Sequence, residues 1–150
     1  MAAILAIDPG TTVSGWAILD GARVVDSGIS ENSGLIYVLS EMPADHLAIE
    51  VFEARGMPIG SDSIETILWT GQFLRAWAAE VNKPATRIRR SAVKVHLCGS
   101  LRAKDANIRQ ALIDRLGPPG TKKSPGPTYG VTSHAWAALA VAVTAQDGRK

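Results

Sequence analysis

Apolar residues along this chain gather in short runs that stop at polar, turn-forming residues. Ile4-Leu5-Ala6-Ile7 leads into Asp8-Pro9-Gly10-Thr11-Thr12, so a strand ends on a carboxylate with a tight turn behind it. Val13 to Leu19 and Ala22 to Ile29 read as two further strands. Asp20-Gly21 between them suits a two-residue hairpin, whose central residues must take positive φ. These runs predict an antiparallel meander with Asp8 closing its first strand. Ser33 to Glu41 predicts a short helix, broken by Met42-Pro43-Ala44-Asp45 ahead of a fourth strand, His46 to Phe52, which brings Glu50 near its end. A helical pattern runs from Asp62 to Val81, Ala85 to Arg89 predicts a fifth strand, and Lys104 to Leu116 and Ser133 to Ala145 predict two more helices. The fold class expected is α/β.

The helix from Asp62 to Val81 has two apolar faces. At about 100° per residue, Ile64, Ile67, Leu68, Gly71, Leu74 and Ala78 fall in one stripe and Trp69, Phe73 and Trp77 in another on the opposite side. One face can pack on the sheet. The aromatic face then needs its own cover, either loops of the same chain or a partner subunit, because large exposed aromatic patches are unusual on monomers. The expectation drawn from this is a homodimer through Trp69, Phe73 and Trp77.

Composition narrows the class further. A chain of 150 residues, 46% apolar and 20% charged, supports one well-buried domain over its whole length, 1–150. Cys98 is alone, which rules out an internal disulfide or a cysteine-based zinc cluster and favours a reducing compartment. The apolar stretch from Ala135 to Ala145 is too short to span a bilayer, and the N-terminal run lacks a basic leader, so the expected location is cytoplasmic. The net charge of +2 hides a strong asymmetry. Between Lys83 and Lys123 stand eleven Lys or Arg residues against only Asp105 and Asp114, while the remainder of the chain is acidic. A basic block of this density suits a polyanion such as nucleic acid, although lysine and arginine are also ordinary residues of a solvated helix face.

The candidate chemistry lies in the strand-end acids. If the first and fourth strands are parallel neighbours, about 4.8 Å apart, Asp8 and Glu50 can reach one divalent ion or a pair about 4 Å apart. Mg²⁺ or Mn²⁺, hard cations that prefer carboxylate oxygen and bind substrate phosphates, would suit them. Taken alone, both acids could equally end their strands in solvent. Thr132 or Ser133 can cap the last helix, placing His134 in its first turn, where the positive helix end favours the neutral imidazole that binds metal or accepts a proton. An ordinary first-turn histidine would look the same. His46 and His96 have no motif that lifts them above a structural role.

These residues together resemble the RuvC family of Holliday junction resolvases, within the RNase H-like superfamily, and most of all its short phage and prophage versions. The matching pieces are Ile4 to Thr12 with Gly15-Trp16, Leu47-Ala48-Ile49-Glu50, Val93-Lys94 before Gly99, Ala103-Lys104, and His134 with Trp136 to Ala142, which span nearly the whole chain in family order. The resemblance implies a mixed five-stranded sheet of order 3-2-1-4-5, its first three strands antiparallel, flanked by helices. It also implies a homodimer that cuts four-way DNA junctions by symmetric nicks with two metal ions per site. Asp8, Glu50 and His134 take catalytic and metal-binding positions. Where the family usually has a last acid, this chain has Ala137. Lys94, Arg102 and Lys104 lie nearest the family's DNA-contacting pattern, with Lys122 and Lys123 added on a Gly/Pro-rich loop expected to be mobile. Three other readings remain open: a junction-binding protein without turnover, a nuclease for other branched DNA or RNA, and one lobe of an actin-like ATPase, which the chain length disfavours.

Overall fold

A computed structural model describes residues 3–149. Five strands, β1 (Ile4–Asp8), β2 (Val13–Asp20), β3 (Arg23–Glu31), β4 (His46–Val51) and β5 (Ala85–Arg89), form one sheet of order β3-β2-β1-β4-β5. The meander is antiparallel, but its hairpin pairs Asp20 with Arg23, so the turn is Gly21-Ala22, one residue later than expected, and of the two only Gly21 takes a positive φ, 62°. β1 pairs parallel to β4, and β4 parallel to β5. The carboxyl ends of β1, β4 and β5 therefore emerge at one edge.

Alternation along the strands sends side chains to two cores. Ile4, Ala6, Ala17, Leu19 and Ala48 face the helices α3 (Arg90–Cys98), α4 (Asp105–Leu116) and α5 (His134–Gly148). Leu5, Ile7, Ile18, Leu47 and Ile49 face α1 (Asn32–Val38), a 3₁₀ turn over Leu39–Glu41, and α2 (Ser61–Ala76), which runs on into a π-helical turn, Trp77–Val81. The central helix is α5. Its Ala135, Ala138, Ala140 and Ala142 are fully buried, and side chains that small let the helix backbone approach the sheet closely.

α2 reverses the expected orientation. Phe73 and Trp77 are 0% and 1% exposed and pack with Leu5, Ile7 and Ile49 inside their own chain, with Trp69 partly buried beside Phe73. The Trp77 indole donates to the Lys83 and Pro84 carbonyls at 2.8 and 3.2 Å, so it enters the core with its polar atom satisfied. Most of the aliphatic stripe is left outside, with Ile64, Ile67 and Leu68 50%, 40% and 55% exposed, while Leu74 packs partly against the core. Trp69, Phe73 and Trp77 thus form a core seam and not an intersubunit surface.

α3 lies in a segment where no helix was expected. Val93 is buried and Leu97 partly so, four residues apart on one face, and Gly99 closes the helix at φ 69°. The end of α5 is tied to both neighbours through Asp147, which accepts from Arg115 at 2.5 Å through each carboxylate oxygen and meets His96 Nε2 at 2.6 Å. The hydrogen bonds from Arg115, then those with His96, hold the Asp147 carboxyl down at about 2. His96 accordingly has the structural role expected of it.

Candidate active site

The loop behind Asp8 is held by a buried polar cluster. Gly10 N–H donates to Ser14 Oγ at 3.1 Å, Ser14 Oγ donates to Asn32 Oδ1 at 2.5 Å, and Asn32 Nδ2 donates back to the Gly10 carbonyl at 3.0 Å. Ser14 and Asn32 are each 1% exposed, so these bonds are shielded from water and fix the exit from β1. Asp8 thereby keeps a defined position at the sheet edge.

Ile7 pairs with Ile49 in the parallel register, which places Asp8 and Glu50 side by side one residue further on. The two carboxyl groups lie close enough to influence each other's ionisation, and both are mostly buried. Burial pushes Asp8 up to about 6, against the pull of its interaction with Glu50 and of Arg90. Burial, and then the Asp8 charge, push Glu50 up to about 8. Burial and mutual repulsion thus favour a neutral carboxyl in the pair over two adjacent charges. Glu50 Oε1 is buried without a hydrogen-bond partner. The nearest cation, Arg90 Nη1, stands 3.7 Å from it, an ion-pair distance too long for a hydrogen bond.

His134 opens α5 with Nδ1 3.3 Å from Asp8 Oδ2 and its ring 68% exposed. Ser133 before it makes no side-chain cap and takes φ 46°, ψ −128°, a region that L residues rarely adopt. Backbone strain of this kind, costing on the order of 1–3 kcal/mol, persists where surrounding structure imposes it. Here the imposed turn delivers His134 to Asp8. A cavity of about 430 Å³ adjoins these groups, lined among others by Arg90, Asp105, Arg109, His134, Trp136 and Ala137.

Arg90, Asp105 and Arg109 are site residues that the sequence pattern did not single out. Arg90 follows β5 directly, so the parallel register carries it to the same edge as Glu50, and its Nη2 pairs with Asp105 at the start of α4. Arg109 lies over the Trp136 ring, 5.0 Å from its centre. A dibasic Arg89-Arg90 at the end of a parallel strand was the available signal.

The expected DNA-contacting residues lie outside this cavity. Lys94 is half-buried on α3, Arg102 and Lys104 are exposed just before α4, and Lys122 and Lys123 are exposed between α4 and α5. That last loop, expected to be mobile, carries its own hydrogen bonds, Thr121 N–H to the Ser124 carbonyl at 3.0 Å and Gly126 N–H to the Pro119 carbonyl at 2.8 Å.

For a divalent cation the fit rests on two carboxylates. Burial disfavours two adjacent charges here and leaves Glu50 Oε1 unpartnered, so a cation held between the pair would supply both charge compensation and a partner for that oxygen. Among the described residues no group of three or more His, Cys, Asp or Glu side chains is arranged to hold a metal ion, so His134 does not complete a three-residue ligand cluster with Asp8 and Glu50.

The strand order and the antiparallel and parallel pairings are those of an RNase H-like fold. Within that class the chain is similar to RuvC of Thermus thermophilus, with 23% identity, 97% of this chain and 96% of that one covered, and a TM-score of 0.66. The same protein in complex with its Holliday junction substrate matches at 24% identity over 99% of this chain and 97% of that one, TM-score 0.70. The yeast mitochondrial Holliday junction resolvase Ydc2 matches at 8% identity over 94% and 77%, TM-score 0.63. No protein-family model and no curated protein matches the sequence. No helix among the described residues is long and apolar enough to cross a membrane.

Proposed function

We propose that this protein is a metal-dependent endonuclease that resolves four-way DNA junctions. The observation that carries the reading is the Asp8–Glu50 pair, buried side by side at a parallel sheet edge with Glu50 Oε1 unpartnered. The structural likeness to RuvC bound to its junction supports the substrate. A Mg²⁺ or Mn²⁺ ion held by Asp8 and Glu50 would supply a Lewis acid for a phosphate oxygen and for the attacking water. Asp8 and Glu50 would hold it through their carboxylate oxygens, in their ionised forms. His134, exposed beside Asp8, takes a proton from the water. Lys94, Arg102, Lys104, Lys122 and Lys123 contact backbone phosphates, which orient the DNA without reading its bases.

The test is incubation of labelled four-way junction, matched duplex, flap and RNA hybrid with the protein and Mg²⁺ or Mn²⁺. Paired symmetric nicks in the junction alone are expected, and none with Asp8→Asn. Tight junction binding with no cutting in either metal would favour the non-catalytic alternative, and preferential cutting of flap or hybrid would change the substrate.

Symmetric nicks need two sites, and we infer a homodimer formed through the exposed Ile64, Ile67 and Leu68 stripe of α2. Sedimentation of Leu68→Glu is expected to give a folded monomer. A dimer that survives this charge would place the interface elsewhere.

A further inference from the structure

The cavity beside the carboxylate pair has two guanidinium groups and one carboxylate among otherwise mostly apolar lining residues. Ala137 contributes a methyl group, while Arg90 and Arg109 bring guanidinium groups into the same space. A divalent ion of the Mg²⁺ type wants about six oxygen ligands, some of them from water. The cavity lining offers one carboxylate, Asp105, and it is already paired with Arg90.

We propose that this site works with one divalent ion and that Arg90 takes the electrostatic part of a second, as a catalytic residue that contacts a non-bridging oxygen of the scissile phosphate. The proposal rests on the nuclease reading and deepens it. Arg90 is prepared for the task in three ways. It is carried at the sheet edge by β5, adjacent to Glu50. Its contact to Glu50, at 3.7 Å, leaves that nitrogen free to donate elsewhere. Its other partner, Asp105, has a side chain 90% exposed, and exposed ion pairs contribute little, so Asp105 yields readily to an incoming phosphate. A planar guanidinium matches two phosphate oxygens at once, which a lysine ammonium cannot do.

In the reaction a water oxygen bonds to phosphorus while the bond from phosphorus to the leaving sugar oxygen breaks, its electron pair staying on that oxygen. One proton of the water passes to His134, and the leaving oxygen takes one up from solvent, to which His134 later returns its own, so one water is consumed and nothing is oxidised. Arg90 neutralises the charge that accumulates on phosphate oxygens along this path.

The experiment combines Mn²⁺ binding, read from the loss of the free-ion paramagnetic signal, with junction cutting by wild type, Arg90→Ala and Arg90→Lys. Wild type is expected to bind about one Mn²⁺ per protomer and to cut with a Hill coefficient in Mn²⁺ of about one. Arg90→Ala should bind Mn²⁺ at least as tightly, having lost a neighbouring positive charge, yet cut about 100-fold more slowly. Arg90→Lys should recover part of that loss. Two ions per protomer, a Hill coefficient near two, or undiminished cutting by Arg90→Ala would overturn the assignment. So would loss of Mn²⁺ binding in a folded Arg90→Ala, which would make Arg90 a support for the metal site. Failure of the nuclease reading looks different, since wild type would then cut no junction at all.

Discussion

Glu50→Gln is expected to abolish junction cutting, by about 10³-fold or more, while making the metal-free protein more stable at alkaline pH. The two effects have one cause. Glu50 is raised to about 8 and Asp8 to about 6, so the folded protein holds their proton more tightly than the unfolded chain does. Stability from this source is complete below about pH 4, where both states are protonated, and drains away as pH rises through about 6 and then about 8. Above that range wild type must bury two adjacent negative charges. The glutamine variant buries one, and its gain over wild type at pH 9 should be about 2–4 kcal/mol, shrinking towards zero near pH 4. Thermal melts of both proteins from pH 4 to 9 check the sign. Mn²⁺ at pH 8 should raise the wild-type midpoint and leave Glu50→Gln nearly unmoved, because a ligand stabilises only the state that binds it. A variant no more stable than wild type at pH 9 would mean that the pair is better solvated than its burial implies.

Much of this site is readable in the sequence because its residues end secondary-structure elements. Asp8 closes an apolar run, Glu50 comes near the end of another, and His134 starts a long apolar helix, so each is marked by the pattern around it. The hairpin signalled by Asp20-Gly21, which turns one residue later at Gly21-Ala22, and the strand at Ala85 to Arg89 are equally local. Sheet order is not local, and it came from the family resemblance. The faces of α2 show where periodicity runs out: two stripes are visible, yet which turns inward depends on the Lys83 and Pro84 carbonyls waiting for the Trp77 indole. Arg90 and Asp105 were missed for a related reason. They meet only because α3 and α4 pack together after β5 has delivered Arg90 to the edge. A short helix with two inward apolar positions, Val93 and Leu97, leaves little trace in periodicity. The Ser14–Asn32 bond joins residues 18 apart in the chain and leaves none.

Gly15→Ala is expected to cost about 2–4 kcal/mol of stability and to slow cutting by about 100-fold, although residue 15 carries no functional group. Gly15 pairs with Asp8 across the antiparallel ladder and lies under the first turn of α5. A Cβ added there would stand 2.3 Å from the His134 carbonyl oxygen and 2.8 Å from the Ala135 nitrogen. Both obstacles are backbone, so no side-chain rotation relieves the clash and either α5 or β2 must move. Moving the start of α5 carries His134 away from Asp8 and relaxes the strained Ser133 turn that aims it. Moving β2 disturbs the ladder that holds Asp8 itself. The contrast is Gly34 in α1, where an added Cβ meets nothing within 4 Å. Gly34→Ala should stabilise the protein by about 0.5–1 kcal/mol and leave cutting unchanged, as the entropy cost of a helical glycine predicts. Chemical denaturation and junction cutting on the two variants separate the effects. Equal behaviour at the two positions would show that the start of α5 yields to the added methyl, and that the Asp8–His134 contact does not depend on the close approach of helix and sheet.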